Sequence, residues 1–524
     1  MKYDLVVIGT GPSGQKGAIA AAKMGKRVAI VERGEVRVGG VCLHTGTVPS
    51  KTMREAILFL TGYTQREVYS ERYNHRRHIT MDDLRRKLEE VVNRERAVII
   101  DQLERNYITI YHGDARFVDG NTIELVDCDN CEKIAGENFL IASGTKPSRP
   151  DHIPFDGRRI FDSDEILRID KIPRSMIVIG GGVIGIEYGI MFAALGVKIT
   201  VVDGRENLLE FCDPEIVDHL VFSARAMGIV FRLGENVASV DVVGDNKVMV
   251  ELDSQKRIIA ETAFFSVGRE GDTETLNPSA AGLGTDKRGK IKCNEDFETE
   301  VSNIFAVGDV IGFPSLASTS MEQGRQAVNH IYGKHHIRAE HVPYGLFTIP
   351  EIAMVGKTEK ELTAECIPFE IGICRFEELA KSQISGGHEG LLKLLFHRET
   401  RALLGTHCIG EAATEVIHIG QAIMAYGGTI DYFCDAVFNH PTIAEAYKVA
   451  ALDGINRLCL DCEKPERAQA ETGDAETGDA ETPNDAAIAQ ELEIMDQVKA
   501  VSLGDLLDTT ASLPQPYVEL PPTQ

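Results

Sequence analysis

The run GGVCLHTGTVPSK, Gly39 to Lys51, gathers a thiol, a hydroxyl and an ammonium into one short stretch. A cysteine acts as nucleophile or redox centre through its thiolate, and reversible dithiol chemistry needs a second sulfur within bonding distance. Cys42 has no such neighbour in the run. Thr47, five positions on, offers a hydroxyl that can neither close a disulfide nor pass electrons onward. Alone, Cys42 is restricted to sulfenic acid or mixed-disulfide chemistry. Lys51 supplies a cation suited to stabilising negative charge that develops beside it. Two further pairs carry chemical potential: Asp203 and Arg205, opposite charges in VVDGREN, and His440 and Glu445, five apart in FNHPTIAEAY.

The elements around these groups are legible. YDLVVI, residues 3–8, is a short apolar run and reads as a buried strand. GTGPSG follows, with Gly9, Gly11 and Gly14 in GxGxxG spacing, then the Ala-rich helix QKGAIAAAKMG and a second strand, RVAIVE, ending at Glu32. Glycines at these positions allow a tight turn and close approach of a pyrophosphate to a helix N-terminus, and the acid accepts from a ribose hydroxyl. The pattern recurs in SMIVIGGGVIGIEYGIMFAALGVKITVVD, with Gly180, Gly182 and Gly185 and a second strand ending at Asp203. Two dinucleotide units in one chain suit hydride transfer, with one ligand as donor and the other as relay. Asp203 can bind the ribose 2′-OH of NAD and would repel a 2′-phosphate, which Arg205 could meet. A pocket carrying both signs fits use of NAD and NADP alike; the alternative is an NAD site with an exposed Arg205.

Composition narrows the classes. The 524 residues are 43% hydrophobic and 26% charged, as in ordinary globular proteins, and suffice for two to four domains. A formal charge of −25 argues against nucleic-acid and anionic-membrane surfaces. The N-terminus, MKYDLVVIGTGPSG, reads as a strand and phosphate loop rather than a signal peptide. The apolar stretch around Gly180–Gly185 could be taken for a membrane span, but its glycines and Glu187 fit a strand–turn–helix. Eleven scattered cysteines suit a reducing cytoplasm. Cys128 with Cys131, and Cys459 with Cys462, form CxxC pairs that could bind zinc; distant in sequence, they read as free thiols, and no metal is expected.

The glycine loops stop near residue 341, and strand-and-turn patterns followed by helical EVIHIGQAIMAY suggest an α+β domain. Beyond Leu458 the composition changes. AETGDAETGDAETP is acidic low-complexity sequence expected to be disordered, and Ile488, Leu492, Met495 and Val498 beyond it lie at helical spacing. Roughly half of the net charge falls after residue 460. This tail is either a solvating appendage or a tethered helix that docks on another protein.

These motifs resemble the two-dinucleotide-binding flavoprotein family that includes glutathione reductase and dihydrolipoamide dehydrogenase, over about residues 3–458. IASGTKP (Ile141–Pro147) is similar to the family's domain-joining segment, FFSVGREGDT around Gly268 and Arg269 to its return, and NIFAVGDV, ending in Asp309 and Val310, to its third FAD motif. Within the family the soluble pyridine nucleotide transhydrogenases match best, on GGVCLHTGTVPSK, GDVIGFPSLAS and TIPEIAMVGKTEKEL with HIGQAIMAYGGTIDYF. The fold implied is α/β, with two Rossmann-like domains, a C-terminal α+β dimerisation domain and the acidic tail. Its boundaries are 1–149 and 271–340 for FAD, 150–270 for NAD(P), 341–460 for dimerisation and 461–524 for the tail.

The resemblance implies an FAD site formed by Gly9, Gly11, Gly14, Glu32, Gly39, Gly40, Val41, Cys42 and Lys51, with Ala115, Ser143, Gly144 and Asp309. The helix start near Ala317 would face the flavin pyrimidine. Gly180, Gly182, Gly185, Glu187, Asp203, Arg205 and Gly268 fall to the nicotinamide coenzyme. Lys51 and Glu187 would pair where hydride arrives, and Thr47 stands where disulfide reductases carry their flavin-proximal sulfur. His440 and Glu445 resemble the acid–base pair such reductases lend across a homodimer. The reaction implied is NADPH + NAD⁺ giving NADP⁺ + NADH through FAD. Dihydrolipoamide-type disulfide reduction, NADH diaphorase activity and a non-catalytic flavoprotein subunit are the alternatives.

Overall fold

The computed structural model describes residues 2–63, 79–126, 132–244, 247–334, 340–387 and 389–470, with side chains to Leu458. Cys128 and Cys131, the side chains of Cys459 and Cys462, and the tail from residue 471 lie outside the described residues.

The first sheet runs Thr109–His112, Val28–Glu32, Lys2–Ile8, Lys133–Ile141, Thr122–Val126 and Asp114–Asp119, with Ile304–Ala306 added parallel to Lys133–Ile141. Its central strands are parallel and covered on both faces, which is why they read as unbroken apolar runs. Alternate residues of Lys2–Ile8 serve opposite cores: Val6 and Ile8 face one cluster, Leu5 and Val7 the other. Gly11 caps the helix Pro12–Lys23, whose Pro12 occupies a position where a missing N–H costs nothing. That helix meets Ala317–Ile331 closely. A Cβ on Gly324 would stand 2.1 Å from the Ser13 carbonyl oxygen, so only glycine permits the contact.

A second parallel sheet runs Val230–Leu233, Lys198–Asp203, Ser175–Ile179, Thr262–Phe265 and Ile160–Phe161, flanked by the helices Val183–Ala194 and Pro214–Ala226. Thr145–Pro147 and Arg269–Gly271, where the chain passes to this sheet and back, pair antiparallel. Arg269 ties them together, donating to the Thr145 hydroxyl and carbonyl at 2.9 and 2.8 Å and to Ser163 at 3.2 Å. The third sheet is antiparallel: Tyr344–Leu346, Glu351–Gly356, Leu403–Gly410, Leu391–His397 and Phe369–Arg375. The helix Ala413–Ala425 covers it. The last helix, Ala446–Ala470, runs through the composition change at Leu458 without a break.

Candidate functional site

One cavity of about 1260 Å³ reaches from the first glycine loop to the third sheet. It exceeds the roughly 300–1,000 Å³ of ordinary small-ligand pockets and has room for a dinucleotide. At one end the strand Val28–Glu32 delivers Glu32, almost wholly buried, to the glycine turn. Its carboxylate accepts from the amide of Thr10 at 3.0 Å and from the Thr10 hydroxyl, and that hydroxyl accepts from the Gly39 amide at 3.0 Å. Thr10 thus couples the acid to the start of the Gly39–Lys51 run. Gly9, Gly11, Gly40, Val41, Cys42, Thr47, Lys51, Ala115, Ser143, Gly144, Asp309 and Ala317 all line the cavity. Gly14 does its work behind the wall. A Cβ there would stand 2.0 Å from the Gly9 carbonyl oxygen and push the helix off the turn.

The polar groups along this cavity suit a bound flavin dinucleotide. Ser143 Oγ is buried without a hydrogen-bond partner among the described residues, which fits a polar group of a bound dinucleotide beside it. Burial pushes the Asp309 carboxyl above its ordinary range, against the opposing pull of Arg269 and Lys290. Hydroxyl donors supplied by a ligand would relieve that cost. The helix Ala317–Ile331 begins with no side-chain cap, so its first amides open on the cavity.

At the other end stands an ion pair. Lys51 Nζ lies 2.7 Å from Glu187 Oε2, joining the helices Thr47–Thr61 and Val183–Ala194. The other oxygen of Glu187 accepts from the Phe347 amide at 2.8 Å, and Lys51 Nζ sits 4.8 Å from the centre of the Phe347 ring. The Glu187 side chain is 5% exposed, and both of its oxygens are occupied, as a buried polar group requires. Phe347 escapes sequence reasoning. Nothing in the spacing of GLFTIP marks a residue that anchors a distant ion pair, and only the third sheet brings it there. Tyr188, next to Glu187, is a second addition: it lines the cavity, and its buried hydroxyl has no hydrogen-bond partner among the described residues.

Cys42 is the only cysteine among the described residues lining this cavity. Burial pushes its thiol up, outweighing the Thr47 hydroxyl and the Lys51 charge. An activated thiol is shifted the other way. His440 Nδ1 and Glu445 Oε1 lie 2.8 Å apart, and the histidine bond and Thr442 amide hold the Glu445 carboxyl below its usual range. This pair does not line the cavity of its own chain, and His440 is largely exposed.

The second glycine loop lies outside the cavity lining, which takes Val183, Ile184, Glu187 and Tyr188 from its helix. A Cβ on Gly185 would meet the Gly180 carbonyl oxygen at 2.0 Å, the same contact as in the first loop. Asp203 Oδ2 accepts from the Gly181 amide at 2.6 Å. Arg205 forks onto Asp203 through Nε at 2.9 Å and Nη2 at 2.7 Å. Burial raises the Asp203 carboxyl, but these bonds outweigh it and hold it below the usual carboxylate range. Gly182 caps the helix, and Gly268 adopts a positive φ of 89° just before the returning strand.

Residues 3–324 match the pyridine nucleotide-disulphide oxidoreductase family, and residues 342–451 match its dimerisation domain. The chain belongs to the pyridine nucleotide-disulphide oxidoreductases. Among relatives in this family, the soluble pyridine nucleotide transhydrogenase of Mycobacterium tuberculosis is 51% identical over 460 residues, 87% of this chain and 98% of that protein. The protein of the same name from Colwellia psychrerythraea is 44% identical over 463 residues, again 87% of this chain and 98% of its own. The oxidoreductase fold is shared with the HOCl-induced flavoprotein disulfide reductase RclA of Escherichia coli. There the TM-score is 0.76 and the identity 25%, covering 86% of this chain and 99% of that one. LpdA of Mycobacterium tuberculosis has the same fold, with a TM-score of 0.78 at 23% identity, covering 86% of this chain and 99% of its own.

Proposed function

We propose that the chain is a soluble FAD-dependent transhydrogenase, an oxidoreductase that moves hydride from NADPH to NAD⁺ and returns NADP⁺ and NADH. The observation that carries this reading is Thr47 beside a half-buried, unactivated Cys42, the one cysteine among the described residues that lines the cavity. Electrons delivered there have no dithiol exit, and a second nicotinamide is the remaining acceptor. Sequence similarity agrees, since the relatives at 44–51% identity bear the transhydrogenase name.

Bound FAD supplies the two-electron store between the half-reactions. The first glycine loop, Glu32, Ser143 and Asp309 would hold it, and the amides at Ala317 and Ser318 would stabilise negative charge on the reduced group. Glu187, anchored by the Phe347 amide, holds Lys51 in place; that fixed cation would stand where hydride arrives, and the second glycine loop would bind each nicotinamide coenzyme in turn. The third sheet and its helix serve a homodimer, in which His440 and Glu445 would face the neighbouring subunit's flavin. Among the described residues no helix is long and apolar enough to cross a membrane; we assign the enzyme to the cytoplasm on its cysteine content.

The deciding assay mixes holoenzyme, NADPH and an NAD⁺ analogue whose reduced form absorbs separately. Transfer at an enzymatic rate is expected, and the Cys42→Ser variant should stay within about threefold of wild type, because the thiolate is the disfavoured state. The His440–Glu445 hydrogen bond favours one other reading, disulfide reduction. Turnover of lipoamide or glutathione disulfide, lost in Cys42→Ser, would establish that reading instead.

Coenzyme choice gives a separate expectation. The fork of Arg205 on Asp203 leaves a cation beside an acid that repels a 2′-phosphate. Arg205→Ala should raise the KM for NADPH about tenfold, the worth of one charge-assisted contact, and that for NADH less than threefold. Steady-state kinetics with both coenzymes checks it; equal shifts would show that Arg205 does not discriminate.

A further inference from the structure

Lys393 lies in the strand Leu391–His397 of the third sheet and is completely buried. Its ammonium reaches out of that sheet to the second dinucleotide unit, 3.0 Å from Asp213 Oδ1 and 3.0 Å from Glu215 Oε2. It also bonds Glu359, the first residue of the helix Glu359–Ala364. Oxygens of the three acids all lie within 4.8 Å of one another, so the lysine stands where their charges converge. Asp213 is fully buried and caps the helix Pro214–Ala226, accepting from the Glu215 amide at 3.1 Å. The same helix packs on the strand Leu403–Gly410, where His407 is the direct neighbour of Lys393. His407 bonds the Lys357 carbonyl at 2.9 Å, and burial pushes its ring below the ordinary imidazole range. Lys393 is the one cation among the described residues in an ion pair with Asp213.

The position of Asp213 gives this cluster its meaning. Asp213 ends the connection that starts at Asp203 and Arg205, with Leu208 and Leu209 buried between them. A buried ion pair is poor at adding net stability and good at fixing one geometry, because any displacement leaves a charge without a partner.

We infer that Lys393 is a positioning residue for the nicotinamide coenzyme: it pins the Asp203–Asp213 connection to the third sheet and so fixes the coenzyme-selecting pair against the Lys51–Glu187 site. The inference rests on the coenzyme site proposed above and adds a residue outside it. The lysine touches neither coenzyme nor flavin. It acts through Asp213, and its loss should weaken coenzyme binding while leaving the rate of the bound complex in place.

The test is titration calorimetry of NAD⁺ and NADP⁺ into oxidised holoenzyme, with Tm and flavin content measured alongside. Lys393→Met should keep its flavin and show dissociation constants about tenfold higher, with kcat at saturating coenzyme within about threefold. Because Lys393→Met buries an unpaired Asp213, a second variant, Lys393→Met with Asp213→Asn, removes that charge while keeping an oxygen to cap the helix. It should recover Tm without recovering affinity. Wild-type affinity in the folded double variant would overturn the inference and leave Lys393 a stabilising residue only. Failure of the wild-type protein to bind either coenzyme would instead sink the proposed function, and this inference with it.

Discussion

Lys51→Met is expected to lower the rate of hydride transfer about 10²–10³-fold with the flavin still bound, the loss seen when one preorganised charge-stabilising group is removed. The size of the effect follows from how the cation is held. Lys51 is fixed by Glu187 at 2.7 Å, and Glu187 is fixed in turn by the Phe347 amide at 2.8 Å. No reorganisation is needed when negative charge develops beside it. Methionine preserves most of the length of the side chain and its packing on Phe347 but not the charge. Glu187→Gln keeps one acceptor oxygen, which can serve the Lys51 ammonium or the Phe347 amide but not both, and should cost less, about tenfold, because the ammonium itself remains beside the site without its counter-charge. Rapid-mixing measurements of flavin bleaching by NADPH read the step directly. Flavin content must be unchanged, since Lys51→Met also leaves Glu187 nearly buried with one partner fewer. A Lys51→Met enzyme bleaching at the wild-type rate would remove Lys51 from the reaction.

The two glycine loops predict a sharper separation. Gly14→Val and Gly185→Val place the same branched side chain against the same backbone contact, 2.0 Å from the Gly9 or the Gly180 carbonyl oxygen. Neither carbonyl can retreat, because each turn is anchored: the Gly9 amide donates to the Val31 carbonyl at 2.8 Å, and the Gly180 amide to Val202 at 2.9 Å. The helix must therefore move, and its N-terminus leaves the pyrophosphate position. Gly14→Val should be isolated colourless. Gly185→Val should be yellow, with coenzyme KM raised on the order of 10²-fold or more. Absorbance spectra and steady-state kinetics decide it, and a colourless Gly185→Val would show that the two loops do not serve separate ligands.

Much of this was readable in the chain because its rules are local. The strand–glycine–helix–acid order places Gly9, Gly14 and Glu32, and again Gly180, Gly185 and Asp203, within short segments whose backbone geometry admits few residue types. The substitution at Thr47 is equally plain, because a hydroxyl cannot do the work of a sulfur. Phe347, Tyr188 and Lys393 obey no local rule. LLKLLFH is buried throughout its first six residues, so its lysine carries none of the alternation that marks a solvent-facing position. Its meaning comes from Asp213, Glu215 and Glu359, brought in by other elements. The pairing of Arg205 with Asp203 had a partial signal, their separation by one glycine, but the fork itself depends on rotamers that sequence does not state.

The paired strands Thr145–Pro147 and Arg269–Gly271 have an implication for how such enzymes diversify. Because the outgoing and returning chains run side by side, the second dinucleotide unit joins its host through a single seam rather than at two separated points. A seam of that kind is a natural site of recombination: a block beginning after Pro147 and ending before Arg269 can be exchanged between homologues without moving the residues that flank it. The exchange carries two conditions. Glu187 travels with the block and must still meet Lys51 and the Phe347 amide, which stay behind. Asp213 and Glu215 travel with the block while Lys393 and Glu359 stay behind. Chimaeras that match both sets of residues should assemble as active hybrids, and coenzyme preference becomes a trait that can be inherited as a cassette.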